Sequence, residues 1–460
     1  MSTAQTDLTT APVPELIRRL TIPASMAFFF NTMYNVVDTY FAGQLSTDAL
    51  AAMALSFPVF FVLLAMGSGF ATGTSALLGK ALGSGNRQQA ALTASQGLLM
   101  SSLLTVVVIT VGVLTVEPLF RLLGASDQYL VICLDYMHII LFGAGLPLTG
   151  FMLNGILNAQ GDMTSYRNYL IGATLLNIGL DPWLMFGGWG VPALGVKGLA
   201  LSTVIAQTLG LIYMGRCVVK TGLVSHSTGA RWRPDRTVLR AISGQGIPAS
   251  LNMMTVAMGI IIITWFLSRF GTDAVAAYGV ATRIEQIVLM PPIGLNVATM
   301  TLVAQNYGAG RYRRVRSIVR TALIYGAALM ALGSVVLWFG ANHLMGLFTQ
   351  DENVVTIGAH YLRIAAFIQY AYILLFVNTS ALQGLQMPAF ALWIGLYRQL
   401  AAPGLVFWLT TQIFHGGLDG VWGGVFAITW SAALIAVWYA RRQVDRLAAE
   451  EEQAAHNPTE

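Results

Sequence analysis

Twelve stretches of the chain are apolar for about 18 or more residues at a time, the length at which a segment reads as a transmembrane helix. Their approximate limits are 16–42, 49–78, 89–115, 128–150, 165–187, 195–218, 243–268, 274–304, 316–340, 354–380, 388–412 and 420–440. The runs are apolar throughout and do not alternate every second residue, which excludes a β-barrel. In hydrocarbon every backbone polar group must be satisfied inside the segment, so each run is expected to be a helix. The pattern therefore predicts an all-α polytopic membrane protein with twelve transmembrane helices.

A second pattern lies above the first. Shifted by 225 residues, the chain matches itself: from 22 to 86 there are 18 identities in 65 ungapped positions, among them Ile22-Pro-Ala-Ser25 against Ile247-Pro-Ala-Ser250. Gly69 and Thr74 match Gly294 and Thr299, and Tyr136 matches Tyr361. Each copy holds six spans, an even number, so both enter the membrane from the same side. That is a parallel repeat, expected to give two six-helix bundles around a central cleft. The expected division is a disordered cytoplasmic tail at 1–14, an N-lobe at 15–219, a cytoplasmic linker at 220–241, a C-lobe at 242–442 and a cytoplasmic tail at 443–460.

Polar residues inside the spans carry the candidate chemistry. Asp38 lies in the first span, where a buried charge costs about 2.5–3.5 kcal/mol on insertion scales, so it is read as functional. Asn31, Tyr34 and Asp38 fall at i, i+3 and i+7, on one helix face expected to look into a wet cavity. Asn177 and Asp181 are four apart in the fifth span, and Thr203 and Gln207 four apart in the sixth. Two carboxylates, an amide and a hydroxyl form an oxygen set suited to Na+. Two neighbouring carboxylates also suit proton capture, and spacing does not choose between the ions. Asn177 and Thr203 as plain helix bridges remain the alternative. Glu285, in the eighth span, is expected to pair with Arg363 or Arg398, with a secondary cation or proton site as the other reading. Asp135 is expected near the outer surface, and Asn154 at the cleft. Pro23, Pro58, Pro147, Pro248, Pro291 and Pro292 are candidate bends.

Charge and composition sharpen this picture. Only 10% of the 460 residues are charged and 56% are hydrophobic, against about 25% charged in soluble domains. The net charge of +5 does not point to nucleic acid. With the N-terminus inside, nineteen of the 25 Lys and Arg fall at cytoplasmic ends or loops, a positive-inside pattern that puts both termini in the cytoplasm and the protein in the plasma membrane. Cys133 and Cys217 form neither a disulfide framework nor a metal motif. The first span is too long for a cleavable signal peptide. No Walker loop, HExxH, paired CxxC or nucleophile elbow is present, so an enzyme is not expected, nor any cofactor beyond the coupling ion.

Several motifs together resemble one family. They are Asp38-Thr-Tyr-Phe-Ala-Gly43 followed by Ala49-Leu-Ala-Ala52, Gln160-Gly161-Asp162, Asn177-x3-Asp181 and Gln305-Asn-Tyr-Gly308-Ala, set in the six-plus-six repeat. From about residue 15 to 440 the chain resembles the multidrug and toxic compound extrusion transporters, and within them the prokaryotic DNA-damage-inducible branch. The resemblance implies an H+ or Na+ site at Asp38, Asn177, Asp181 and Thr203, drug contacts at Asn31, Tyr34 and Asn154, and helix bending at Pro23. It implies export of amphipathic organic cations in exchange for H+ or Na+ by alternating access, with one chain sufficient. The alternative is a flippase for a lipid-linked saccharide, which would need a basic cleft to grip pyrophosphate; the polar residues here make the N-terminal half acidic.

Overall fold

A computed structural model describes residues 7–188 and 190–456. Fourteen α-helices account for nearly all of them: α1 (Val13–Leu45), α2 (Thr47–Gly83), α3 (Arg87–Leu122), α4 (Asp127–Phe142), α5 (Gly145–Ala159), α6 (Thr164–Phe186) and α7 (Val196–Lys220), then α8 (Arg236–Leu267), α9 (Thr272–Gly308), α10 (Tyr312–Gly346), α11 (Glu352–Gly384), α12 (Pro388–Leu396), α13 (Ala402–Trp408) and α14 (Gly417–His456). No strand occurs among the described residues. Ten helical segments are long and apolar enough to cross a membrane, one of them the joined α12–α13 stretch. The pair α4 and α5, bent by 42° at Gly143–Ala144, makes an eleventh. The twelfth is α1, whose 33 residues carry too many polar groups to match the others in hydropathy. All twelve expected spans are therefore helices, and the chain is a multi-pass membrane protein.

The prolines behave unequally. Pro147 sits in the first turn of α5, where a missing N–H costs nothing, directly after the 42° break. Pro23, Pro58 and Pro248 lie within unbroken helices. Two π-helical turns, Tyr397–Ala401 and Leu409–Ile413, flank α13. Nothing in the sequence pattern anticipates them.

The chain folds as two compact units, residues 26–250 and residues 251–460 together with 1–25. The division does not fall at the expected linker. It falls inside α1, after Ser25, and inside α8, after Ser250, which are the same position in the two repeats. Small residues explain the packing in each unit. Gly69 of α2 lies against Ser250, and Gly294 of α9 lies against Ser25. A side chain at either glycine would collide with the serine's backbone. Ser25 also donates its hydroxyl to the Pro291 carbonyl, 3.0 Å away.

The first unit is built around Leu78, Phe120, Met137 and Met152. Its linker is held down, not loose. Gln96 of α3, fully buried, donates to the carbonyls of Arg231 (2.8 Å) and Arg233 (3.0 Å) and accepts from the Asp235 amide (2.9 Å). The second unit is built around Tyr361, Phe407 and Trp422, whose aromatic rings meet Tyr278 and Phe266.

The tails differ from expectation where they are described. Residues 1–6 and 457–460 lie outside the described residues. From Asp7 onward the N-terminal segment is ordered, because Asp7 accepts from the Thr9 amide and hydroxyl and from the Thr10 hydroxyl. The Thr9 hydroxyl bond, above all, keeps the Asp7 carboxyl below its ordinary value. Asn306 and Arg311 then hold the Leu8 and Thr9 carbonyls. At the other end α14 runs on to His456, with Arg313–Glu452 (2.8 Å) and Arg316–Asp445 (3.6 Å) tying its extension to α10.

Candidate functional site

Three helices of the first unit bring the candidate residues together. Asp38 of α1, Asn177 and Asp181 of α6, and Thr203 of α7 are all buried, Asn177 and Asp181 completely. The Asn177 amide donates to the Asp38 carboxylate. The two carboxyl groups are neighbours, and Thr203 stands beside Asp38. Thr203 also bonds back to the Leu199 carbonyl at 3.2 Å, as hydroxyls in helices do. The helical spacing explains the convergence: Asn177 and Asp181 project from one face of α6, one turn apart, and meet α1 and α7 in turn.

Ser202 is a further member that the spacing argument passed over. Its hydroxyl donates to the Asp181 carboxylate and bonds the Leu199 carbonyl at 2.8 Å. Adjacent hydroxyls on a helix point about 100° apart, so Ser202 bonds Asp181 while Thr203 stands on the Asp38 side. The signal was the doublet Ser202-Thr203 in an apolar helix, which a four-residue spacing rule does not register. Tyr136 of α4 also lies within electrostatic range of both carboxyls.

Tyr34 belongs to the same face but is packed, not open to a cavity. It is buried against Ala173, Ala206 and Tyr169. Asn31 is partly exposed, and its carbonyl accepts from Asn35 at 2.7 Å. Asn154, on α5, has a buried carbonyl oxygen without a partner, and no hydrogen bond joins it to the acids. Pro23 lies buried in α1, two residues before the serine that packs on Gly294. An adjoining side of α1 carries further polar residues, with Thr32 half-exposed and Asn35, Thr39 and Gln44 exposed.

The oxygen set has spare capacity. Asn177 Oδ1 and Asp181 Oδ2 are buried with no hydrogen-bond partner. Two carboxyl groups in contact repel unless a proton or a cation lies between them. The orphan oxygens are therefore acceptors that an H+ or a hard cation such as Na+ would satisfy.

Glu285 does not do what was expected of it. Among the described residues it makes no ion pair within 4.0 Å with Arg363, Arg398 or any other cation. It accepts instead from the Tyr361 hydroxyl (2.9 Å) and the Gln369 amide (3.3 Å), both on α11. Arg363 is two residues from Tyr361 and so points to another side of α11, toward Asn342. Asp135 pairs with Lys197 at 3.1 Å, both well exposed.

The fold is that of a multi-pass membrane protein, and comparison with known proteins gives its family. The MatE family model matches residues 23–183 and again residues 248–408, two windows separated by the 225-residue shift of the internal repeat. The chain belongs to the MatE family. It is 28% identical over 443 residues to the FAD transporter of Shewanella oneidensis, covering 95% of this chain and 96% of that protein. It is 27% identical to the probable multidrug resistance protein YoeA of Bacillus subtilis, covering 78% of each. It is 24% identical to the multidrug export protein MepA of Staphylococcus aureus, over 77% of this chain and 78% of that one. Among solved structures, a MATE transporter in the bent conformation superposes with a TM-score of 0.91 at 23% identity, covering 98% of this chain and all of that one. An outward-facing multidrug resistance MATE transporter of the MOP superfamily superposes at 0.88 with the same identity and coverage. Members of this family are transporters and not enzymes, and the relatives point to small molecules as the cargo.

Proposed function

We propose that the chain is a secondary antiporter that exports small amphipathic organic molecules in exchange for H+ or Na+, and that Asp38, Asn177, Asp181 and Thr203 hold the ion. The observation that carries this reading is the nearness of two buried carboxyl groups with unpartnered oxygens beside them. Charges at membrane depth mark ion pathways, since their burial opposes stability. Filling the site with a cation removes the repulsion between Asp38 and Asp181 and draws α1 toward α6 and α7. Emptying it releases α1. A bound cargo that prefers one of these two arrangements is then coupled to the ion, because a ligand shifts an equilibrium only by its differential affinity for the two states. One charge moving down a potential of about 100 mV supplies about 2.3 kcal/mol. The polar stripe of Thr32, Asn35, Thr39 and Gln44 suits the wall of a watery passage better than contact with lipid, and we place the cargo's path there, with Asn31 at its edge. The positive-inside pattern supports a plasma-membrane location with both termini in the cytoplasm.

The test is efflux from proteoliposomes loaded with a fluorescent organic cation such as ethidium, with H+ and Na+ gradients imposed separately. Efflux is expected to follow one of the two gradients and to stop when an ionophore collapses it. Efflux indifferent to both gradients contradicts ion coupling. A second reading, export of a flavin dinucleotide, is favoured by the Shewanella relative, whose match spans 95% of this chain. Replacing ethidium by FAD in the same vesicles separates the two. The saccharide flippase has no such support, since the buried polar cluster is acidic.

A further inference from the structure

The second unit contains a chamber of about 260 Å³ lined by α8, α9, α11, α12, α13 and α14. Its walls are largely apolar and aromatic, but two charged groups line it: Glu285 of α9 and Arg398 of the first π-helical turn. Arg398 lies in a membrane span, and among the described residues no acid comes within 4.0 Å of it. Its guanidinium lies 5.4 Å from the centre of the Tyr372 ring, and Tyr372 stacks on Phe376 with ring centres 5.4 Å apart and planes within 21°. Both rings also line the chamber. Glu285, by contrast, already has two donors, Tyr361 and Gln369.

The backbone is shaped around this chamber. Gly259 of α8 lies hard against the Gln399 side-chain oxygen, and Gly395 of α12 against the Asn252 side chain. A side chain at Gly259 would displace the Gln399 side chain, and one at Gly395 the Asn252 side chain. π-Helical turns are rare inside α-helices and gather at functional sites. Here the turn presents Arg398 to the interior. A guanidinium in a span without a counter-charge is costly, and such groups mark binding pathways. Its planar fork fits a carboxylate or phosphate.

We propose that this chamber is a second ligand site, taking a small aromatic molecule that carries an anionic group, with the anion on Arg398 and the ring along Tyr372 and Phe376. Glu285 fixes the orientation, because it already accepts from Tyr361 and Gln369 and leaves Arg398 as the one cationic anchor. The chamber is large enough for one or two fused rings, given that a cavity of about 150 Å³ holds benzene. This site is independent of the ion site at Asp38 and Asp181.

The probes are 2-naphthoate, the neutral 2-naphthalenemethanol and the cationic 2-naphthylmethylammonium. Binding to the full chain in lipid nanodiscs is measured by equilibrium dialysis. Wild type is expected to bind the naphthoate at least about tenfold tighter than the alcohol, the scale of one hydrogen bond to a charged group. Arg398→Gln is expected to erase that preference, Arg398→Lys to retain part of it, and Arg363→Gln, whose guanidinium bonds Asn342 outside the chamber, to leave it untouched. Equal binding of acid and alcohol by wild type overturns the proposal without any variant. So does unchanged naphthoate binding in Arg398→Gln, a preference for the ammonium probe, or no saturable naphthoate binding at all.

Discussion

The two repeats share a scaffold and differ in chemistry at corresponding places. Asp38 on α1 corresponds to Ile263 on α8, and Tyr34 to Gly259. In the first repeat those positions form a buried acid and a packed phenol. In the second, Ile263 is apolar lining of the chamber, and Gly259 makes room for Gln399. The fifth span of the first repeat, α6, is continuous and carries Asn177 and Asp181. Its counterpart, the α12–α13 stretch, is interrupted by π-helical turns and carries Arg398. One tyrosine is common to both: Tyr136 stands near the two aspartates, and Tyr361, at the matching position, donates to Glu285. The lesson is that the repeat preserves what packing needs, such as the Ser25–Gly294 and Ser250–Gly69 contacts, while buried charge has become specialised. The first repeat buries two neighbouring carboxyl groups; the second sets Glu285 and Arg398 in one chamber.

The largest expected effect separates the two acids. Asp181→Asn removes one of the neighbouring carboxyl groups and is expected to reduce gradient-driven efflux to the background of empty vesicles, whereas Glu285→Gln retains it. Equal loss in both variants would erase the functional difference between the repeats. Ser202→Ala follows. A hydrogen bond to a charged group contributes about 1.5–3 kcal/mol, so efflux at low ion concentration is expected to fall about tenfold and to recover as the driving ion is raised. A loss that no ion concentration rescues would assign Ser202 a structural role instead. Smaller again, and equal in the two repeats, is the effect of Gly69→Val and Gly294→Val. Overpacking of this kind costs about 1–3 kcal/mol, read as a lowered midpoint of thermal unfolding in nanodiscs. Gly172→Val, where nothing lies within 4 Å, serves as the control. A drop at one glycine alone would show that the mirrored contacts are not equivalent.

Much of this was legible in the sequence because the bilayer enforces it. Hydrocarbon demands unbroken apolar helices, so all twelve spans could be read. It also makes a buried acid costly, so Asp38 and Asp181 stood out. The Asn177 partner followed from a single helical turn. What escaped depends on helix rotation and backbone detail. Ser202 is one hydroxyl among many in apolar helices. Tyr34 shares Asp38's face yet packs against alanines, because a helical wheel does not say which neighbour a face meets. Glu285 looked destined for an arginine, but α11 turns Tyr361 and Gln369 toward it and Arg363 elsewhere. The π-helical turn at Arg398 leaves no trace in hydrophobic periodicity. The division inside α1 and α8 was equally hidden, since the polar linker suggests a boundary where the chain is in fact pinned by Gln96.

The most direct test of the central claim is the ion flux that accompanies export, recorded in the same vesicles for wild type and Asp38→Asn with a matched amount of inserted protein. Wild type is expected to take up H+ or Na+ in step with each pulse of cargo leaving, and Asp38→Asn to show neither flux. Coupled uptake that persists in Asp38→Asn would contradict the assignment of the ion to the first repeat.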